Sequence, residues 1–176
     1  IGSRHIKGRS MKRIEFVLLL IAAIGVPESV LAESEQRIPI IFDTDFVMPP
    51  ADDGMAIMLA LQSPELEILG VTTVAGNESL ETATVDVLRM LEIANRADIP
   101  VYEGADMPLV HEKSDFAVQN YGKWYSNESP AMPPGGFAKK VAEDKSAVSF
   151  LVDTVLARPG EITLVAIGPL TNIAQA

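Results

Sequence analysis

The stretch Ile38-Pro39-Ile40-Ile41-Phe42-Asp43-Thr44-Asp45, followed by Asp52-Asp53 and the apolar run Met55-Ala56-Ile57-Met58-Leu59-Ala60-Leu61, decides how this chain is read. Ile38 to Phe42 is an apolar run of strand length, suited to a strand buried on both faces. The second run has the pattern of a helix. Four aspartates lie between the two runs. A strand that turns into a helix in this way delivers carboxylates to the carboxyl edge of a parallel sheet, where open α/β folds bind ligands. Carboxylates so close together repel unless something shares them, so the cluster points to a cation or to substrate hydroxyls.

Working outward, Asp52 or Asp53 is expected to cap the helix that runs to Gln62, and Ser63-Pro64 ends it. Leu66 to Val74, rich in Val, Ile and Thr, reads as a second strand broken by Gly76-Asn77. Ser79 then caps a long helix whose apolar residues Leu80, Ala83, Val87, Leu91 and Ala94 form one buried stripe. Ile99-Pro100-Val101-Tyr102 is a brief third strand. Glu103 to Phe137 carries many Pro, Gly and polar residues with little periodicity, as lids and insertions do. Ser146 to Ala157 is helical and closed by Arg158-Pro159-Gly160; Glu161 to Ile167 reads as a fourth buried strand ending at Gly168-Pro169. Strands alternating with helices predict an α/β fold, a Rossmann-like, mostly parallel sheet with helices on both faces. Pro169 to Ala176 reads as a helix just beginning, with no capping glycine after it, so the fold is expected to be incomplete at the C-terminus.

The chain divides into residues 1–32 and 33–176. Met11-Lys12-Arg13 is a basic n-region, Phe16 to Val26 an apolar h-region, and Val30-Leu31-Ala32 a small-residue cleavage site before Glu33, so 11–32 reads as a signal peptide and the product as secreted or periplasmic. The apolar run is shorter than the ~20 residues a membrane span needs, so no stable membrane anchor is expected. Removing residues 1–32 takes away five of 14 basic and two of 24 acidic residues, leaving 9 against 22 and a formal charge of −13. That charge disfavours nucleic acid as a partner. There is no cysteine, which excludes thiol chemistry and thiolate metal sites and leaves stability to a packed core.

On a parallel sheet the strand ends project Asp43, Asp45, Asn77 and the Ile167 carbonyl toward one rim, with Asp52 and Asp53 entering from the first helix. Hard oxygen ligands suit calcium or magnesium, and calcium better tolerates mixed carboxylate, carbonyl and water coordination.

With these pieces in order, namely Asp43-Thr44-Asp45 with Asp52-Asp53, then Val71-Thr72-Thr73-Val74-Ala75-Gly76-Asn77, then Leu164-Val165-Ala166-Ile167-Gly168-Pro169-Leu170-Thr171-Asn172-Ile173-Ala174, the chain resembles the inosine-uridine preferring nucleoside hydrolases. The resemblance covers Ile38 to Ala176, the N-terminal half of that family's fold. It implies hydrolysis of the N-glycosidic bond of a small-molecule ribonucleoside to ribose and free base, with Ca2+ at the floor of the pocket. It further implies that Asp45 binds calcium and accepts a proton from the attacking water, that Asp53 and the Ile167 carbonyl are metal ligands, and that Asp52 and Asn77 hydrogen-bond the ribose hydroxyls. Asp43 would support the loop. The remaining acidic ligand and the leaving-group contacts would lie beyond Ala176, so residues 33–176 alone are expected to be inactive. Homo-oligomerisation of a full-length protein stays open. One departure stands out: the family pattern places Pro-Gly and one further residue before the Asp-Asp pair, whereas this chain has the longer Phe46-Val47-Met48-Pro49-Pro50-Ala51.

Other readings compete. Ile40 to Val47 also looks like the first motif of haloacid dehalogenase-like phosphatases, with Asp43 as nucleophile and Asp45 as acid/base, though no later lysine motif stands out. A secreted protein that binds a nucleoside or sugar without chemistry is a third reading. The aspartates also suit plain helix capping, and Asn77 a simple turn. Tyr121, Trp124 and Tyr125 could stack on a nucleobase or simply pack the loop. Asn77-Glu78-Ser79 and Asn127-Glu128-Ser129 match the glycosylation pattern, His111 has no assigned role, and Gly135-Gly136 before Lys139-Lys140 lacks phosphate-loop spacing.

Overall fold

Four strands, β1 (Ile38–Thr44), β2 (Leu66–Thr73), β3 (Val101–Glu103) and β4 (Thr163–Ala166), form one sheet in the order β3-β2-β1-β4, and every pairing is parallel. The computed structural model describes residues 37–111, 114–121 and 129–176, without the Tyr121 side chain. The signal-peptide segment, its cleavage site, Trp124, Tyr125 and Asn127 therefore lie outside the described residues. Helices α1 (Asp52–Leu61), α2 (Leu80–Ile93), α3 (Asp115–Tyr121), α4 (Ala147–Ala157) and α5 (Thr171–Gln175) complete the described elements. Among the described residues no helix is long and apolar enough to cross a membrane.

Alternation along β1 sorts the core into two layers, because successive side chains point to opposite faces. Ile40 and Phe42 pack with Ile57 and Ala60 of α1 and with Ala83, Val87, Leu88 and Leu91 of α2. Ile41 faces the other way, onto Phe150 and Leu151 of α4. Helices thus cover both faces, as the alternating pattern predicts.

Ser79 caps α2 by accepting from the Thr82 N–H at 3.3 Å, and Ser146 caps α4 from the Ser149 N–H at 3.2 Å. The expected aspartate cap of α1 is not formed: Ala51 is the N-cap, with no side-chain hydrogen bond, and Asp52 and Asp53 lie inside the first turn. There their charge meets the positive end of the helix, and the Asp53 oxygens find other partners.

Two further expectations are corrected. The segment from Glu103 to Phe137, read as irregular, contains α3. Its far end is strapped to α2, where Arg89 donates to the Pro134 and Gly135 carbonyls at 3.0 and 3.1 Å. Strand β4, read as buried, is an edge strand with β1 as its neighbour, and Leu164 is 40% and Ile167 39% exposed. Val165 still packs against the core shared with α1 and α2, while Leu164 on the other face stands exposed.

Candidate active site

The carboxyl end of β1 emerges between β2 and β4, where chain connections run to opposite sides of the sheet, and the aspartates gather there. Asp43 is 1% exposed. Its Oδ1 accepts hydrogen bonds from the Thr72 hydroxyl and from Asn172 Nδ2 at 2.8 Å, while Oδ2 is buried without a hydrogen-bond partner. Burial raises the Asp43 carboxyl above the usual carboxylate range, and the Thr72 and Asn172 bonds only partly offset it.

Asp45 is 6% exposed, and its Oδ2 accepts from the Asn77 backbone N–H at 2.7 Å. Two glycines wall it in. A Cβ on Gly76 would overlap the Asp45 carboxylate, and one on Gly168 would stand 2.7 Å from the Asp45 nitrogen and 2.9 Å from Oδ1. Burial raises the Asp45 carboxyl, the Asn77 N–H draws it back, and the negative charges of Asp53 and Asp52 push it up again.

Asp53, 3% exposed, accepts from Thr44 Oγ1 at 2.6 Å and from Asn77 Nδ2 at 3.4 Å. The longer 46–51 connection does not prevent this. Phe46 is fully buried and Met48 packs on the same core, while Pro49 lies so close to Gly54 that a Cβ there would meet the proline ring at 2.5 Å. The loop folds inward and returns Asp53 to the end of β1.

Of the residues read from sequence, Asp43, Asp45, Asp53 and Asn77 are thus brought together. Asn77 is exposed at the rim, as is Asp52. Ile167 sits beside them through its N–H, which donates to the Asp43 carbonyl at 2.9 Å. Sequence reasoning missed Thr44, Thr72 and Asn172 as partners of the acids. Their signal was hydroxyl and amide residues at strand and helix ends next to the aspartates, in motifs already singled out for other reasons. An open cavity of about 590 Å³ beside β3, lined by Glu103, Ala105, Asp106, Leu109, Ser146 and Gln175 among others, contains none of the four aspartates.

Among the described residues no group of three or more His, Cys, Asp or Glu side chains comes together to hold a metal ion. The donors present nevertheless fit a hard divalent cation in kind: buried carboxylates, an unpartnered Asp43 Oδ2 and a glycine-walled Asp45. Asp43 does not suit the phosphatase reading, because neither oxygen is open for attack on a phosphate ester: one is bonded twice and the other is buried.

Residues 40–176 match the family model described as inosine-uridine preferring nucleoside hydrolase. The chain is 46% identical over 140 residues to "Uridine nucleosidase 1" of Arabidopsis thaliana, covering 78% of this chain and 39% of that protein. It is 40% identical to "Pyrimidine-specific ribonucleoside hydrolase RihA" of Salmonella arizonae, covering 78% and 42%. The solved structure titled "Plant nucleoside hydrolase - PpNRh1 enzyme" superposes with a TM-score of 0.59 at 41% identity, over 77% of this chain and 41% of that one. The chain spans about two fifths of the length of the curated relatives it matches.

Proposed function

The chain belongs to the inosine-uridine preferring nucleoside hydrolase family, and from that premise we propose that it serves the hydrolysis of the N-glycosidic bond of ribonucleosides, releasing ribose and free base. The observation that carries this reading is Asp45: buried, walled by Gly76 and Gly168, and pinned by the Asn77 N–H, with burial raising its carboxyl from the ordinary value. Uridine is the proposed substrate, since both curated relatives compared above are named for uridine or pyrimidine nucleosides.

Asp45 takes the proton of the attacking water. Its neighbours keep it fixed, so no reorganisation is needed at the moment of reaction. Asp52 and Asn77, exposed at the rim, hydrogen-bond the ribose hydroxyls. Departure of the base builds positive charge on the sugar, which the nearby carboxylates stabilise. Asp45, Asp53 and the Ile167 carbonyl are the residues that would hold Ca2+. When bound, calcium supplies positive charge that lowers the pKa of a nearby water. Residues 11–32 direct export to a secreted or periplasmic location, with cleavage after Ala32.

The test is ribose release by the full-length protein supplied with uridine or inosine, with and without a chelator. Ribose formation lost on chelation is expected. Nucleoside binding with no ribose released would overturn the reading in favour of a non-catalytic binding protein.

A further inference from the structure

We propose that Asn172 is a positioning residue for the acid site, holding Asp45 in place by two separate routes; the inference rests on the activity proposed above. Asn172 is fully buried in the first turn of α5, and its amide joins three distant segments. Nδ2 donates to Asp43 Oδ1 at 2.8 Å and to the Thr73 carbonyl at 3.0 Å, and Oδ1 accepts from the Ala105 N–H at 2.8 Å. A carboxylate and a carbonyl only accept and a backbone N–H only donates, so a single orientation of the amide satisfies all three. The chain after β3 closes over it: a Cβ on Gly104 would overlap the Asn172 amide.

The first route runs through Asp43. Asn172 and Thr72 both donate to Asp43 Oδ1, and the Ile167 N–H holds the Asp43 carbonyl, so the backbone is fixed two residues before Asp45. The second route runs through Ala105. The residue whose N–H meets Asn172 accepts, through its carbonyl, the Ala75 N–H at 2.9 Å. Ala75 leads into Gly76, which walls Asp45, and Asn77, whose N–H bonds Asp45 Oδ2 at 2.7 Å. Both routes end on the same carboxylate. Among the described residues the Asn172 side chain hydrogen-bonds Asp43, Thr73 and Ala105 and neither Asp45 nor Asp53, so its effect is exerted through others. A residue that merely filled the core would lower thermal stability and leave turnover per folded molecule intact.

Two variants of the full-length protein test this. Asn172→Asp keeps the shape and the acceptor for Ala105 but loses both donors, and Gly104→Ala leaves Asn172 present while displacing it. Turnover and KM on uridine are measured below each variant's unfolding temperature, together with amide hydrogen exchange of Asn77 and Val71. The expected result for Asn172→Asp is a kcat about 10- to 100-fold lower with KM within about threefold of the parent. Gly104→Ala should speed Asn77 exchange by about tenfold or more while Val71, in the sheet, keeps its protection. Unchanged kcat in folded Asn172→Asp, or unchanged Asn77 exchange in Gly104→Ala, would overturn the proposal. A parent that releases no ribose would sink the proposed activity instead, and the exchange arm would still decide the role of Asn172.

Discussion

Thr44 Oγ1 donates to Asp53 Oδ1 at 2.6 Å, tying the last residue of β1 to the first turn of α1 across the longer connection between them. The bond explains how a loop that departs from the family pattern still delivers a buried carboxylate to the acid site. Thr44→Val should leave Asp53 buried with one partner fewer and cost about 1–3 kcal/mol of stability. Thr44→Ser should retain most of it. Urea unfolding of both variants in the full-length protein checks this; a larger loss in Thr44→Ser than in Thr44→Val would assign the effect to packing of the Thr44 methyl group instead.

Burial raises the Asp43 and Asp45 carboxyls in the folded state above their unfolded values. Between those values the folded protein binds more protons than the unfolded one, so stability conferred by these groups is present at low pH and lost as pH rises through the raised values. In chelator, Asp43→Asn should flatten that decline above the ordinary carboxylate range, measured by thermal unfolding against pH. A decline of the same slope as the parent's would show that Asp43 does not carry it.

Much of this was legible in the sequence. The run Ile38 to Phe42, the Ser79 cap and the helix from Ser146 to Ala157 read correctly because each rests on local chemistry, a period or a side chain beside its own helix end. Asp43, Asp45, Asp53 and Asn77 were legible because they cluster at strand and helix ends. What was not legible depended on distance. Asp53 looked like a cap until Thr44 was brought to it, and Asn172 looked like part of a helix just beginning although its partners Asp43, Thr73 and Ala105 come from three other segments. The exposure of β4 was missed because apolar content reports strand propensity and says nothing of what packs on the strand. Helix α3 was missed in a segment whose Pro and Gly content masks a short period.

Export with cleavage after Ala32 is expected from the basic, apolar and small-residue segments in order. Intact mass measurement of secreted material should show Glu33 as the first residue, and retention of Met11 or of the apolar segment would contradict it.

Residues 33–176 expressed alone should associate and release no ribose. Among the described residues the β4 edge is unpaired on one side in the sheet, and Leu156, Leu164 and Leu170 are exposed, a combination that invites strand pairing between copies. Size-exclusion chromatography over a range of concentrations, with a ribose assay on each fraction, is the check. A monomeric, active fragment would refute the expectation.

The central claim is that Asp45 activates water while Asp52 engages ribose, and initial rates of ribose release from uridine by full-length Asp45→Asn and Asp52→Ala test it most directly. Asp45→Asn should lower kcat by about 10²- to 10⁴-fold, whereas Asp52→Ala should act chiefly on substrate engagement, by about 1–3 kcal/mol for a lost ribose hydrogen bond. Full activity in Asp45→Asn, together with abolition by Asp43→Asn and turnover of phosphate esters, would contradict the account and restore the phosphatase reading.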